Sequence, residues 1–267
     1  MTVVLHMSDP HFGTEQAPVV EALARLAQAQ SPDLVILSGD ITQRATHRQF
    51  DAAKTFLARL DAPATLVIPG NHDIPLFDLA ARLFAPYARY RRAFGPELEP
   101  VHDGARLLAV GVNTTRRYRR VDGEISRAQI ERVAARLERA SPSQLRIVVT
   151  HQPVYVTHTE DEKNLLHGRD DAIRQWAAAG VDLILGGHIH RPFACKLPER
   201  LTGVARPVWL IQAGTALSWR IRHDAGNSVN LIRTRAGMSQ RRCSIERWDF
   251  VESSQEFMLV DSQESIE

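Results

Sequence analysis

Cysteine is scarce. The 267 residues contain two, Cys195 and Cys243, which allow at most one bridge, and neither has the paired spacing of a thiolate metal site. Both read as small buried hydrophobes. Aromatic residues make up 6% of the chain, too few for the interleaved aromatic and basic track of a long single-strand nucleic-acid groove. Neither sign of charge dominates: 33 Lys and Arg against 31 Asp and Glu leave +2, which argues against broad coating of nucleic acid or membrane. Long apolar runs are missing as well. The start Val3-Val4-Leu5 is interrupted by His6 and Asp9, and no basic leader, h-region or membrane-length run is found. These absences predict a cytoplasmic protein with no membrane partner. The 44% hydrophobic and 24% charged residues suit a sizeable core in one large domain.

What is present is an alternation of short apolar runs with longer stretches of helical period, the pattern of an α/β layered domain. Candidate strands are Val3-Val4-Leu5, Leu34-Val35-Ile36-Leu37, Leu66-Val67-Ile68, Leu107-Leu108-Ala109-Val110, Ile147-Val148-Val149, Leu183-Ile184-Leu185 and Trp209-Leu210-Ile211. Val19, Leu23, Leu26 and Ala27 share one face of a helix that Pro18 opens and Ser31-Pro32 stops. Ile130, Val133, Ala134 and Leu137 form the face of another, with Ser126 and Gln129 as a capping box. After Trp209 the pattern becomes strand-like, at Val229-Asn230-Leu231-Ile232 and Ser244-Ile245-Glu246-Arg247-Trp248, which predicts completion of a second sheet. Residues 1–251 are expected to form the single domain. Residues 252–267 contain five acidic residues and no Lys or Arg, and are expected to be a frayed acidic tail or a solvated strand.

Chemistry-bearing residues collect where the strands end. Asp9 and His11 follow the first run, Asp40 the second, Asn71, His72 and Asp73 the third, His151 the run at Ile147, and His188 and His190 the run at Leu185. Parallel strands would gather all of them at one carboxyl edge, where open α/β sheets place ligands. A histidine after one strand is ordinarily a hydrogen-bonding group; five strand ends with the same ligand chemistry point to metal. In extended backbone, residues i and i+2 point to the same side, so Asp9 with His11, and His188 with His190, can each present two ligands. Mixed imidazole nitrogen and carboxylate oxygen suit Zn, Mn or Fe over Mg or Ca. No cysteine takes part, which argues against a structural zinc cage. The ligands exceed the needs of one ion, and a carboxylate such as Asp40 can bridge two cations about 4 Å apart.

The motifs Ser8-Asp9-Pro10-His11, Gly39-Asp40, Gly70-Asn71-His72-Asp73, Thr150-His151 and Gly187-His188-Ile189-His190 resemble, in order and approximate spacing, the five motifs of calcineurin-like metallophosphoesterases. They look like those of the bacterial class III cyclic-nucleotide phosphodiesterases and glycerophosphodiesterases. The resemblance implies a four-layer αββα sandwich with two mixed β-sheets. It also implies that Asp9, His11, Asp40 and His190 hold one metal, and Asp40, Asn71, His151 and His188 a second. The implied activity is hydrolysis of small organic phosphodiesters, cyclic nucleotides first, by hydroxide held between two divalent or mixed-valence Mn, Fe or Zn ions. In that setting His72 stands beside the leaving oxygen, and Asp73 could orient its imidazole and raise its pKa.

Other features are secondary. Arg116-Arg117-Tyr118-Arg119-Arg120, after the rim residues Asn113-Thr114-Thr115, reads as a solvated loop, with a second phosphate or a nucleic-acid backbone as the alternative. Arg44 and His47 could face the pocket or a helix surface; His158 and His167 fall in a candidate cap. His6 and Trp176 read as structural, as do Trp209, Trp219 and Trp248, although Trp219 could line an entrance. A nuclease would share the site but need a basic track, for which only the arginine loop and Arg233, Arg235, Arg241 and Arg242 speak. A phosphomonoesterase would share the site too, and a non-catalytic scaffold has no need for a complete ligand set. The oligomeric state is left open.

Overall fold

The residues Leu34–Leu37 are all apolar and all buried, yet they serve two cores, because successive side chains of a strand point to opposite faces. Leu34 and Ile36 enter a core between two sheets, whereas Val35 and Leu37 enter one beneath helices. The same division runs through the computed structural model, which describes residues 1–222, 225–234 and 242–265. In chain order the strands are β1 (Thr2–Met7), β2 (Leu34–Leu37), β3 (Ala64–Val67), β4 (Val101–Asp103), β5 (Leu107–Gly111), β6 (Leu145–Val149), β7 (Leu183–Gly186), β8 (Phe193–Lys196), β9 (Trp209–Gln212), β10 (Ser228–Thr234), β11 (Cys243–Val251) and β12 (Glu256–Ser265). The helices are α1 (Ala17–Gln30), α2 (His47–Arg59), α3 (Leu79–Phe84), α4 (Ala88–Phe94), α5 (Arg127–Glu138), α6 (Arg169–Ala178) and α7 (Glu199–Thr202).

Two six-stranded sheets result, ordered β12-β11-β10-β1-β2-β3 and β4-β5-β6-β7-β9-β8. Both are mixed: β1, β2 and β3 run parallel while β10 joins β1 antiparallel, and β5, β6, β7 and β9 run parallel between antiparallel β4 and β8. Val4, Leu34, Ile36 and Leu66 of one sheet meet Ile147, Val149, Leu185 and Ile211 of the other. Outside the first sheet, α1 buries Val19, Leu23 and Leu26 and α2 buries Phe50 and Phe56; outside the second, α5 and α6 bury Ile130, Val133, Ile173 and Trp176. Four layers, helix, sheet, sheet and helix, are the outcome, and each fully buried Leu or Ile contributes about 1.5–3 kcal/mol.

The helix ends follow local chemistry. Pro18 occupies the first turn of α1, and Ser31 closes it in a left-handed conformation with its amide on the Ala27 carbonyl. Ser126 and Gln129 form the capping box of α5. Thr46 and Gln49 form another at α2, a signal of the same type that the strand-centred reading passed over. The acidic segment after Val251 turns back, and β12 pairs antiparallel with β11 at the sheet edge. Cys243 is buried, but Cys195 is only half-buried, contrary to expectation. Its strand β8 pairs with β9 alone at the other sheet's edge, so no strand covers its outer side, although it packs in part against the helical-layer core.

His6 lies on the inner face of β1. It is fully buried, with Nε2 2.9 Å from Ser38 Oγ and Nδ1 3.4 Å from Asn230 Nδ2. Burial pushes its imidazole down to about 3, with Asp9 opposing. The unfolded chain therefore takes up a proton before the native one does, and the stabilisation lost as pH falls from about 6.5 towards 3 amounts to at most about 1.4 kcal/mol per pH unit. We expect His6→Gln to lose roughly 2 kcal/mol less than the parent between pH 6.5 and pH 5, measured by guanidinium unfolding. Equal losses would remove His6 as the source.

Candidate metal centre

The site stands where the carboxyl ends of both parallel strand sets meet. Asp9, Asp40 and Asn71 follow β1, β2 and β3, while His151 and His188 follow β6 and β7 of the facing sheet. The expectation of a single carboxyl edge is thus corrected to two edges, brought face to face by the inter-sheet core. Expectation and structure differ again in the local backbone. Asp9, His11, Asp40, His188 and His190 have φ of 52°, 44°, 46°, 74° and 58°, so their placement comes from left-handed turns, not from extended alternation. Asp and His tolerate this region better than most residues, but each such position stores on the order of 1 kcal/mol or more of strain, held by the surroundings. Close approach does the rest: a Cβ on Gly70 would overlap the amide of Asp40, and one on Gly187 would overlap Ser8.

Three overlapping groups of ligand atoms result, each with members within 4.8 Å of one another: Asp9, His11 and His190; His11, Asp40 and His72; Asp40, His151 and His188. Asp40 belongs to two of them. Its Oδ1 is 3.3 Å from His151 Nε2 and its Oδ2 3.8 Å from His11 Nε2. Asp9 Oδ1 is 3.3 Å from His190 Nε2, and Asn71 Oδ1 is 3.2 Å from His151 Nε2. His188 and His190 therefore serve different groups, although they are two residues apart.

Backbone groups orient these rings. His151 Nδ1 donates to the Ser38 carbonyl at 2.8 Å, and His190 Nδ1 donates to the Arg220 carbonyl, beside Thr215 Oγ1 at 2.9 Å. Each ring is thereby committed to presenting Nε2 inward, the arrangement that fixes imidazole ligands. Sequence patterns could not reveal these partners, since a carbonyl carries no residue-type signal. The His188 amide donates to Asp9 Oδ2 at 2.9 Å, and the His72 amide to Asp40 Oδ1 at 2.8 Å.

Burial alone would raise both carboxyls. Instead His190 and His151 hold Asp9 below the usual carboxylate range, and His151, His72 and His11 hold Asp40 well below it. Burial would lower His151, but Asp40 beside it raises it to about 9; His190 is raised, against its burial, by Asp9. His11 and His188 are pushed down to about 3, chiefly by burial, and are neutral. Protons on His151 and His190 thus occupy places where cation charge would satisfy the carboxylates. His11 Nδ1 and His188 Nδ1 are buried with no hydrogen-bond partner, an uncommon state for such atoms. Orphaned atoms, neutral imidazoles and a nitrogen and oxygen donor set fit a divalent cation.

The chain's resemblance to known proteins agrees with this geometry. The sequence profile of the family described as calcineurin-like phosphoesterase matches residues 2–192. The chain belongs to that family. It is a metallophosphoesterase, a hydrolase built around a divalent metal centre. A probable cyclic nucleotide phosphodiesterase of a Synechococcus strain is 28% identical over 187 residues, 68% of this chain and 67% of that protein. A probable glycerophosphodiester phosphodiesterase of Arcobacter nitrofigilis is 27% identical over 164 residues, 60% of this chain and 57% of that one, so the match spans little more than half of this relative. Among solved structures, a purple acid phosphatase from yellow lupin superposes with TM-score 0.70 at 13% identity, covering 98% of this chain and 53% of that one. A dimetal phosphatase from Danio rerio gives 0.68 at 12% identity, covering 99% and 98%. At these identities the likeness concerns the fold.

The other residues of the metallophosphoesterase singled out by sequence fall into place around this centre. His72 is half-buried, its ring edge-on to His11 with centroids 4.8 Å apart, and its Nδ1 donates to the Gln43 carbonyl at 3.1 Å. Asp73 does not reach that ring. Its carboxylate accepts from the amides of Gly70, Ile41 and Thr42 and from Thr42 Oγ1, tying the Asp40 and Asn71 turns together. Burial, with the charge of Asp40, pushes it up to about 7. Arg116 is committed to Asn113, Thr115 and Gln129, Arg117 to the Leu83 carbonyl and Arg119 to Glu124, so little of the arginine run is free for nucleic acid. Arg233 pairs with Glu246, while Arg235 and Arg241 lie outside the described residues. His47 pairs with Arg92, and Trp176 is buried in the helical layer. The candidate cap bears on the site through Asp161, which pairs with Arg191 and Arg222; Arg222 also donates to the Ile189 carbonyl at 2.8 Å, a strut that sequence reading missed. Among the described residues no helix is long and apolar enough to cross a membrane.

Proposed function

We propose that the protein is a dinuclear metal-dependent phosphodiesterase acting on small organic phosphodiesters, with cyclic nucleotides the first candidates. Asp40 carries this reading, because its two oxygens address His151 on one side and His11 on the other, as a carboxylate common to two cation sites must. Asp9, His11, Asp40 and His190 would hold one ion, and Asp40, Asn71, His151 and His188 the other, with Mn, Fe or Zn suited to the donor set. Bound there, the pair supplies positive charge against phosphoryl oxygens and makes water acidic enough to attack phosphorus at neutral pH. The chain's own residues do the rest. His72 donates a hydrogen bond from Nδ1 to the Gln43 carbonyl, so Nε2 is the ring atom left to serve the leaving oxygen. Asp73 keeps the Asp40 and Asn71 turns in register. Two free cysteines support a reducing, cytoplasmic setting.

The cleft over Asp40, Asn71, His72, His188 and His190 has a volume of about 560 Å³, room for a second ester arm. With Mn loaded equally, we expect a higher kcat/KM for bis(p-nitrophenyl) phosphate than for p-nitrophenyl phosphate. The monoester dianion binds cations tightly in the ground state, which does not by itself accelerate the chemistry. A clear preference for the monoester would make the protein a phosphatase and leave the metal-site argument standing.

A further inference from the structure

Beside His72 a second cavity, of about 230 Å³, opens off the metal cleft; the two share Asn71, His72, Val121 and Arg220. Arg44, Arg82, Arg120 and Arg220 line it, together with no Asp or Glu. In a chain whose formal charge is only +2, this is a strong local excess. Pairing sharpens the contrast. Arg222, which lines the metal cleft, and Arg191 are both paired with Glu160 and Asp161. Among the described residues, none of the four arginines beside His72 has a carboxylate partner. Three of them are positioned by neutral groups, and Arg120 is exposed. Arg82 donates to the carbonyls of Pro75 and Arg119 at 3.3 and 2.9 Å, Arg220 donates to Gln43 Oε1 at 3.1 Å, and Arg44 lies 5.0 Å from the ring centre of Phe77.

We infer that this cavity receives a second phosphate group, carried on the leaving arm of the substrate; the inference rests on the phosphodiesterase reading above and names its substrate class. Guanidinium forks match phosphate oxygens in pairs. Position supplies the rest of the argument, since the His72 ring lies between the cations' ligands and the arginines and its backbone partner Gln43 also tethers Arg220. In the step, the water oxygen bonds to phosphorus and its proton is released to solvent, from which His72 is later reprotonated, while the bond from phosphorus to the arm oxygen breaks. The arm takes a proton from His72 and leaves as an alcohol, its second phosphate held by the arginines. The net change is hydrolysis.

Thymidylyl-(3′→5′)-thymidine and the same dinucleotide carrying a 5′-terminal phosphate test this on the metal-loaded full chain. We expect the terminal phosphate to raise kcat/KM about tenfold, and Arg44→Gln/Arg120→Gln to bring that ratio close to one. The phosphorylated dinucleotide should yield thymidine 5′-monophosphate as its sole product, because the phosphate-bearing nucleoside departs. Thymidine 3′,5′-bisphosphate plus thymidine as products, a parent ratio near one, or a ratio kept by the double variant would each overturn the inference. Calorimetry of thymidine 5′-monophosphate with metal-free protein in EDTA gives a reading independent of turnover: about tenfold weaker binding to the double variant is expected, and equal binding would overturn the inference. Absence of turnover with bis(p-nitrophenyl) phosphate and both dinucleotides would defeat the phosphodiesterase reading instead, while the calorimetry still decides what the cavity binds.

Discussion

Asp40→Ala should abolish turnover and lower bound metal from two ions per chain towards zero. The expected loss exceeds that at any other ligand position because the two oxygens of Asp40 address His11 and His151 and, among the described residues, Asp40 is the member common to the group with His11 and the group with His151 and His188. The substitution also frees the His72 amide, which donates to Asp40 Oδ1, and leaves His151 without the charge that raises it. Metal analysis of the purified variant, with circular dichroism as a check on folding, measures the effect. A variant that kept two ions and normal turnover would refute the dinuclear assignment. Asp40→Asn adds resolution: it keeps an acceptor for the His72 amide without the anionic charge, so metal loss in both variants would trace to the charge.

His72→Ala should keep its metals and lose about 10²–10⁴-fold in rate, the usual scale for a positioned acid or charge stabiliser. Its ligand atom falls within one group with His11 and Asp40, but the other two groups are complete without it. The rate loss should shrink for esters of p-nitrophenol, whose departing oxygen needs little protonation, and be largest for alkyl esters. Equal losses for poor and good leaving groups would take His72 out of that role.

Much of this was legible in the residues, and the exceptions have physical causes. The candidate strands and the faces of α1 and α5 follow from apolar period and capping, and the structure contains them. Which way Leu34 to Leu37 face could not be read, because a strand covered on both sides shows no alternation in its sequence. The late strand-like segments pointed to a second sheet, but which strands belong to which sheet could not be read, for the same reason. The ligand-type residues were visible as a recurrence after strands, yet the means of aiming them was misread: extended alternation and left-handed turns give the same spacing in sequence. Asp73 next to His72 suggested a contact between them, whereas three backbone amides offered the carboxylate a better set of donors. The arginine run drew attention by density. The unpaired arginines beside His72 are scattered from Arg44 to Arg220, and only folding brings them to one wall.

The place of β1 within its sheet has a consequence for the order of events during synthesis. This strand is made before the others of its sheet, and it is interior, paired on one side with β2 and on the other with β10. Asp9 and His11 therefore leave the ribosome early but stand on a strand with an open edge until residues 228–234 arrive. His190 in turn depends on the Arg220 carbonyl and Thr215 for its orientation. Pairing between such distant parts of a chain is slow and comes late. The full ligand geometry is accordingly complete only once residues 215–234 have been made and paired.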